Sequence, residues 1–581
     1  MVVSHLLRNL PLAAGTVLEH LGDDPVMLAL QASRKLPHGL VKTAADAASR
    51  LPGSGLAAAL SAHLRGDAAE TERLLASAVT GSAPARRRVR LADVAVAANL
   101  PDHADRLLAD IPSGTRGLQA AVARRRWHAG DMDDAIKAAA AGGRAEQRMA
   151  RRLAAERRVL AGWQPELPPT AGYRPRPATV LHLLTNSLPH TGSGYAQRTH
   201  SLLRAQAAEG WSVHAATRVG YPVLVGGLTA GRQDEMEGVT YHRLLPARLP
   251  FGMDSRLQLQ AELLLDLARK LRPAVLHTTT HFVNGIVVRA VAESLGIPWV
   301  YEVRGQLADT WASTRPPQAR SSSRYLEFQA REAETAAAAD LVPTLGMEMA
   351  GQLTGAGVPE ERVLLLPNAV GEGFLAEPLD AAAARTRLGL PARGPFIGTV
   401  SSLVDYEGLD TLLRAAALLM PARPDLHCLI VGDGAALPAL RALAEELGLG
   451  GKVLFPGRVP RSEAQLYHQA LDVFAVPRKD LNVTRAVTPL KPVEALASAR
   501  PVVASRLPAL AELIADGTTG LLVQPSDPTA LAEALQRLLD DEPLRHRMGA
   551  AGRAAVLATR TWEANAQLCL GRYRDLIGER R

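Results

Sequence analysis

The segment Pro477–Ser505, PRKDLNVTRAVTPLKPVEALASARPVVAS, carries Arg478, Lys479, Arg485, Lys491 and Glu494. A helix is expected to begin inside it, since Thr488 can N-cap and Pro489 suits a first turn. Lys491 and Glu494 are three apart and would share one face near that N-terminus. Backbone amides, helix dipole and cations would then converge, which is what a departing diphosphate needs. Glu494, an acceptor only when ionised, suits a two-point grip on ribose hydroxyls.

Three further segments carry polar residues just past strand-like runs. In TNSLPHTGSGYAQRTH (185–200), Gly192 and Gly194 let the backbone turn before a helix, where free amides favour an anion. AVLHTTTHFVNG and PWVYEVRGQ place His277, His281, Glu302 and Arg304 at two strand ends. GTVSSLVDYEGLDTLLRA presents Ser401 and Ser402 at another strand end, with Asp405 able to cap the following helix, and IVGDG brings up Gly432. Each segment alone reads equally as a structural turn or a packed histidine. Repetition at the strand ends of one sheet is what points to a site.

The elements that must position these residues are legible. From Thr179, apolar strands of about 5–8 residues alternate with helices of about 10–18, which implies a parallel sheet covered on both faces. The pattern restarts at Pro395, giving two doubly wound α/β units joined near Leu364–Phe374. Ligands in such sheets sit at the carboxyl ends of the strands, so facing sheets would place them in the cleft between. Residues 1–165 read as all-helical, with breaks near Gly66, Leu100 and Gly130, about 30–34 residues apart. That spacing weakly resembles tetratricopeptide-type repeats and suggests a protein partner, an irregular bundle being the alternative. Gly162–Ala178 holds five prolines and is expected to be an extended linker.

The chain has 581 residues, 47% hydrophobic and 21% charged, within the range of globular proteins. Its net charge of +8 suits nucleoside diphosphates or acidic lipid. No zinc spacing or recognition-helix motif is present, so nucleic acid is not an expected partner. The arginine blocks at 86–88, 124–126, 151–152 and 157–158 read as solvated helix faces. Two cysteines, Cys428 and Cys569, lack metal spacing and fit a reducing, cytoplasmic compartment. No signal-peptide pattern opens the sequence, and no apolar run is long enough to span a bilayer.

The GSG loop, VYEVRG, PNAV, YEGLD, IVGDG and LKPVEALASARPVVAS occur in order across some 400 residues. At these residues the chain resembles retaining glycosyltransferases of family 4, of the type that assembles exopolysaccharide and cell-envelope glycans. The resemblance implies the GT-B fold: two facing Rossmann-like domains, here 179–370 for the acceptor and 371–560 for the nucleotide sugar. It also implies a terminal helix, 561–581, that crosses back onto the first domain. The helical region, 1–165, and the linker, 166–178, lie outside it. Implied too are a UDP- or GDP-sugar donor, a glycan or lipid-linked acceptor, retained anomeric configuration and no tightly bound metal. The catalytic set would be His277, His281, Glu302 and Arg304. The donor set would be Gly192, Gly194, Ser401, Ser402, Gly432, Arg478, Lys479, Arg485, Lys491 and Glu494. An enzyme of this kind would work in the cytoplasm, its basic charge suiting peripheral contact with an anionic inner leaflet.

The chain departs from the family pattern at four places. The usual phosphate-binding Arg and Lys fall on Ser402 and Glu407, one acid falls on Ala486, and one histidine falls on Thr279. Arg478, Lys479, Arg485 and Lys491 are expected to supply the missing charge. The alternatives are an inactive scaffold recruiting partners through its helical region, or a sugar-nucleotide epimerase. A phosphorylase would need a pyridoxal-phosphate lysine, for which no local motif stands out.

Overall fold

The computed structural model describes residues 2–23, 55–81, 83–391 and 393–580. Residues 24–54 of the expected helical region lie outside the described residues. The first α/β domain holds a six-stranded sheet: β1 Thr179–Leu184, β2 Ser212–Thr217, β3 Gln233–Met236, β4 Val239–Arg243, β5 Val275–Thr279 and β6 Trp299–Glu302. Its order is β3-β4-β2-β1-β5-β6, parallel except for the β3–β4 pair. Every residue of β1 is buried, as a strand covered on both faces must be. A short pair, β7 Val342–Thr344 and β8 Val363–Leu365, continues past β6 through the bridges Val300–Leu341 and Val303–Thr344.

The second domain repeats the plan with β9 Phe396–Val400, β10 His427–Val431, β11 Val453–Gly457, β12 Val473–Val476, β13 Val502–Ser505 and β14 Gly520–Val523. The order is β11-β10-β9-β12-β13-β14, all parallel. The winding reverses between β1 and β5 in the first sheet and between β9 and β12 in the second. A crevice opens at the carboxyl ends of such neighbouring strands. The last helix, Trp562–Glu579, buries Trp562, Cys569, Leu570 and Tyr573 in the core of the first domain with Leu202 and Trp211. Both cysteines are buried and unbridged, and burial pushes each thiol up to about 12.

Ahead of β1, seven helices from Gly55 to Leu160 pack on one another. The breaks near Gly66, Leu100 and Gly130 each separate two packed helices. Asp67 caps one helix through Glu70 N–H, and Gly130 ends another with φ +94°, a conformation that favours glycine. Two expectations need correction. Gly162–Ala178 is no free linker: Trp163, Leu167 and Tyr173 pack on the first domain's core. Thr170 N–H donates to Ser294 O (2.7 Å) and the Tyr173 hydroxyl to Pro273 O (2.8 Å). Val159 and Leu160 of the last helix belong to that same core. Proline removes donors, but the donors and side chains that remain can still dock. Several of the basic blocks are ion-paired helix faces rather than merely solvated ones. Arg124 meets Asp93 at 2.8 Å, Arg125 meets Asp105 at 2.6 Å, and Arg157 reaches Glu327 of the first α/β domain at 2.6 Å. Among the described residues no helix is long and apolar enough to cross a membrane.

Candidate functional site

Close backbone approach builds the half of the site in the second domain. Gly408 has φ +69°, and a Cβ there would lie 1.9 Å from Pro477 O. Gly432 has φ +138°, and its Cβ would lie 1.8 Å from Ser401 O. Only glycine permits either contact. The loops after β9, β10 and β12 therefore rest on one another, and four side chains meet. Lys491 Nζ donates to Ser401 Oγ (2.7 Å) and Glu407 Oε1 (2.8 Å). Arg478 donates through Nε and Nη2 to Glu407 (3.2 and 3.0 Å) and through Nη1 to Val487 O (3.0 Å). Burial alone would raise the Glu407 carboxyl, but Arg478 and Lys491 hold it at about 2. Burial lowers the Lys491 ammonium, and Glu407 opposes that shift. Ser402 is exposed beside the cluster.

Other donor-side expectations are revised here. Lys479 is paired with Asp405 (2.7 Å) and Asp410 (3.5 Å), and Arg485 with Asp480 (2.5 Å), so each of these cations has carboxylate partners of its own. Asp405 thus caps no helix. Lys491 and Glu494 do not pair: Glu494 faces His468 (3.4 Å) and Arg461 (4.0 Å). Thr488 is not an N-cap, because the helix is Lys491–Ala497, preceded by Leu490. Seven residues make a short helix, so the two side-chain cations are the main positive groups here.

In the first domain, Gly192 and Gly194 lie on an exposed turn, and Ser193 between them caps the helix Gly194–Ala208. Gly192 O accepts from Arg458 Nη2 of the other domain (3.3 Å). One turn on, buried Arg198 donates to Glu302 (2.6 Å), Leu366 O (2.7 Å) and Asn368 Oδ1 (3.0 Å). Glu302 also pairs with Arg304, which donates to Thr199 Oγ1 (2.6 Å). Burial would raise the Glu302 carboxyl, but Arg304 and Arg198 hold it well below the carboxylate range. His277 stacks on His182 (4.5 Å), is bonded to the Tyr573 hydroxyl and lies 3.6 Å from Glu302. Both His277 and Glu302 are 0% exposed. The catalytic expectation for these two is corrected: they form a buried polar network that ties strand, helix and terminal helix together.

His281 caps the helix Phe282–Leu295 and stacks on Phe328, and burial lowers it to about 4, so it is neutral at pH 7. His281 and Arg304, with Thr185, Asn186, Tyr195 and Thr280, line a cavity of about 190 Å³ at the ends of β1, β5 and β6. Tyr195, Arg198 and Asn368 were not singled out by sequence, and Glu407 was noted only as a departure from the family pattern. Their signal was position: Tyr195 follows the GSG turn, and Arg198 is one helical turn further.

The two halves touch. A Cβ on Gly305 would lie 3.1 Å from the Tyr195 hydroxyl and 3.9 Å from Val487 Cγ2. Asn368 Nδ2 donates to Thr488 O (2.8 Å), and Glu512 accepts from Met347 and Glu348 N–H (2.7 Å each). Among the described residues, no group of three or more His, Cys, Asp or Glu could hold a metal ion.

Comparison with known proteins agrees with this architecture. Residues 193–369 match the glycosyl transferase 4-like domain, and residues 380–555 match glycosyl transferases group 1. The D-inositol 3-phosphate glycosyltransferase of Acidothermus cellulolyticus is 31% identical over 311 residues, 52% of this chain and 67% of that protein. A GDP-mannose-dependent alpha-(1-6)-phosphatidylinositol monomannoside mannosyltransferase of Mycolicibacterium smegmatis is 33% identical over 246 residues, 42% of this chain and 63% of that protein. With a Corynebacterium glutamicum D-inositol 3-phosphate glycosyltransferase, the match spans 46% of the relative's length. Among solved structures, sucrose-phosphate synthase from Thermosynechococcus elongatus superposes with a TM-score of 0.58 at 24% identity, covering 69% of this chain and all of that one. HepE of Anabaena, solved with UDP and glucose, gives 0.54 at 16%, covering 68% and 99%. The chain belongs to the family 4 glycosyltransferases of GT-B fold.

Proposed function

We propose that the chain transfers a sugar from a UDP- or GDP-sugar to a glycan or lipid-linked acceptor, with retention of anomeric configuration and without a bound metal. The observation that carries this is the Lys491–Ser401–Glu407–Arg478 cluster at the β9/β12 reversal, opposite Tyr195 and Arg304. Lys491 and Arg478 take the diphosphate, the exposed loop at Ser402 lies beside it, and Glu494 takes the ribose hydroxyls. The sugar C1–O bond to the leaving diphosphate breaks as the acceptor oxygen bonds to C1 on the same face. The acceptor proton passes to the departing diphosphate oxygen. The protein's part is orientation, charge stabilisation and closure. The relatives' names support both bases: one is GDP-mannose-dependent, and HepE was solved with UDP. Those names are transferase names, and none favours the epimerase or the inactive scaffold. The reaction belongs in the cytoplasm, and the charge of +8 suits contact with an anionic leaflet.

The test is thermal shift against UDP, GDP and their sugar conjugates. A ligand at 100 times its Kd adds about 2.7 kcal/mol. A shift selective for one base, lost in Lys491→Met and Glu494→Gln, is expected. No shift with any of them would overturn the reading.

A further inference from the structure

A second and larger cavity, about 740 Å³, lies on the far side of Gly305 from the crevice at β1, β5 and β6. Its floor includes Val303, one residue past β6, with Met349 and Leu353 of the helix Met347–Gly355. One wall is the helix Ser323–Ala338, and the other includes Asn482 and Arg485 from the nucleotide-sugar domain. The cavity therefore spans both domains beside the donor cleft. Nothing in the donor reading uses it.

Its polar lining is amide and carboxylate. Gln306 is bonded to Gln352, and Gln352 Nε2 donates to Glu348 (3.0 Å). Asp309 accepts from the Tyr325 hydroxyl (2.9 Å) and from Asn482 Nδ2 (3.2 Å), so one bond already crosses between the domains here. Glu332 accepts from Leu307 N–H (3.3 Å), and burial pushes its carboxyl up to about 7. Amides donate and accept together, and carboxylates accept, which suits adjacent hydroxyls. The apolar floor suits the C–H face of a sugar ring. Two acids, Asp309 and Glu348, with the partly protonated Glu332, face a single cation, Arg485, already held by Asp480. That balance opposes phosphate or sulfate. The volume falls within the usual range for small-ligand sites, about 300–1,000 Å³.

The N-terminal helical region holds the outer wall. Gly130 O accepts from Arg324 N–H (3.2 Å) and Ser323 Oγ (3.0 Å). A Cβ on Gly130 would lie 2.2 Å from Ser322 Oγ and 2.6 Å from Ser322 Cβ, so the Ser322 side chain packs directly on the Gly130 backbone. Arg315 Nε donates to His128 O (3.0 Å), and Glu327 is paired with Arg157 (2.6 Å).

We propose that this cavity is the subsite for neutral, hydroxyl-rich sugar units of the acceptor, and that the helical region sets the position of its wall. The proposal rests on the glycosyl-transfer reading.

Isothermal titration of the full chain tests it. The probes are a panel of neutral mono-, di- and trisaccharides of glucose, mannose and galactose, with inositol phosphate as the anionic comparator. UDP and GDP are titrated into the same samples to report the donor site separately. At least one neutral saccharide is expected to bind, and more tightly than inositol phosphate. Ala333→Trp, which fills the cavity, should weaken that saccharide more than tenfold and leave the nucleotide Kd within twofold. Gln352→Ala, which removes one amide, should weaken the saccharide about fivefold, and it serves if the tryptophan variant does not fold. The proposal is overturned if the chain binds nucleotide but no neutral saccharide, if inositol phosphate binds better, or if the folded variants bind the saccharide as the parent does. Absence of nucleotide binding would instead remove the glycosyl-transfer reading, and the subsite with it.

Discussion

Glu407 stands where the family pattern has a phosphate-binding lysine, and it lies between the two cations assigned to the diphosphate. Glu407→Gln keeps the shape and removes the charge. A carboxyl held at about 2 rather than 4.5 is stabilised by about 3 kcal/mol, at about 1.4 kcal/mol per tenfold. Removing one partner from a buried ion pair costs a similar amount, about 3–5 kcal/mol. The carboxylate is 5% exposed, so solvent screens this little. For a domain of this size, each kcal/mol moves Tm by about 2–4 °C. The variant should therefore melt about 6–12 °C below the parent at pH 7. The sign with pH follows: a depressed carboxyl contributes fully above about 4.5 and loses its contribution as pH falls through about 2, so the gap stays constant from pH 5 to 8. Nucleotide should act in the opposite sense. In the variant the diphosphate meets Lys491 and Arg478 without a competing anion, and a charge-assisted hydrogen bond contributes about 1.5–3 kcal/mol. The UDP or GDP shift should therefore exceed the parent's, with Kd about tenfold lower. Scanning fluorimetry with a nucleotide titration reads both effects. A variant melting within about 1 °C of its parent, or gaining less from nucleotide, refutes the charge balance described here.

Two more outcomes follow from packing and protonation. A chain starting at residue 161 would strip Val159 and Leu160 from the first domain's core and uncover the partners of Trp163, so it should be recovered as aggregate; a monodisperse species on size exclusion would contradict this. His128, His242 and His281 are each lowered to about 4, chiefly by burial. Unfolded histidine takes up its proton near 6.5 and these do not, so stability should fall as pH drops from about 6.5 to 4, by at most about 3 kcal/mol per histidine. A urea midpoint unchanged between pH 7.5 and 5 would contradict that sign.

The fold was legible because strands buried on both faces must be largely apolar: Cys428–Val431 is apolar throughout, and Val180–Leu184 is interrupted only by His182. Docking of the proline-rich strap was not, because composition marks the missing donors and says nothing of where Thr170 N–H and the Tyr173 hydroxyl go. The site was legible as a set of loops and misread residue by residue, and position relative to strand ends separates the two outcomes. Ser401 and Gly432 are one residue past β9 and β10, while Arg478, Arg304 and His281 are two past β12, β6 and β5. His277 lies two residues before the end of β5, and Glu302 is the last residue of β6. A side chain inside such a strand points into a layer of helices on either face, whatever its chemistry, so a histidine there becomes packing. Charge fails as a guide for a related reason. Lys479 and Arg485 have carboxylates close at hand, and Asp480 is only five residues from Arg485. Lys491 and Arg478 also have a carboxylate partner, but they share a single one. Two cations on one buried anion leave a net positive charge held in fixed geometry, and that residue of charge, rather than the count of basic side chains, is what a diphosphate can use.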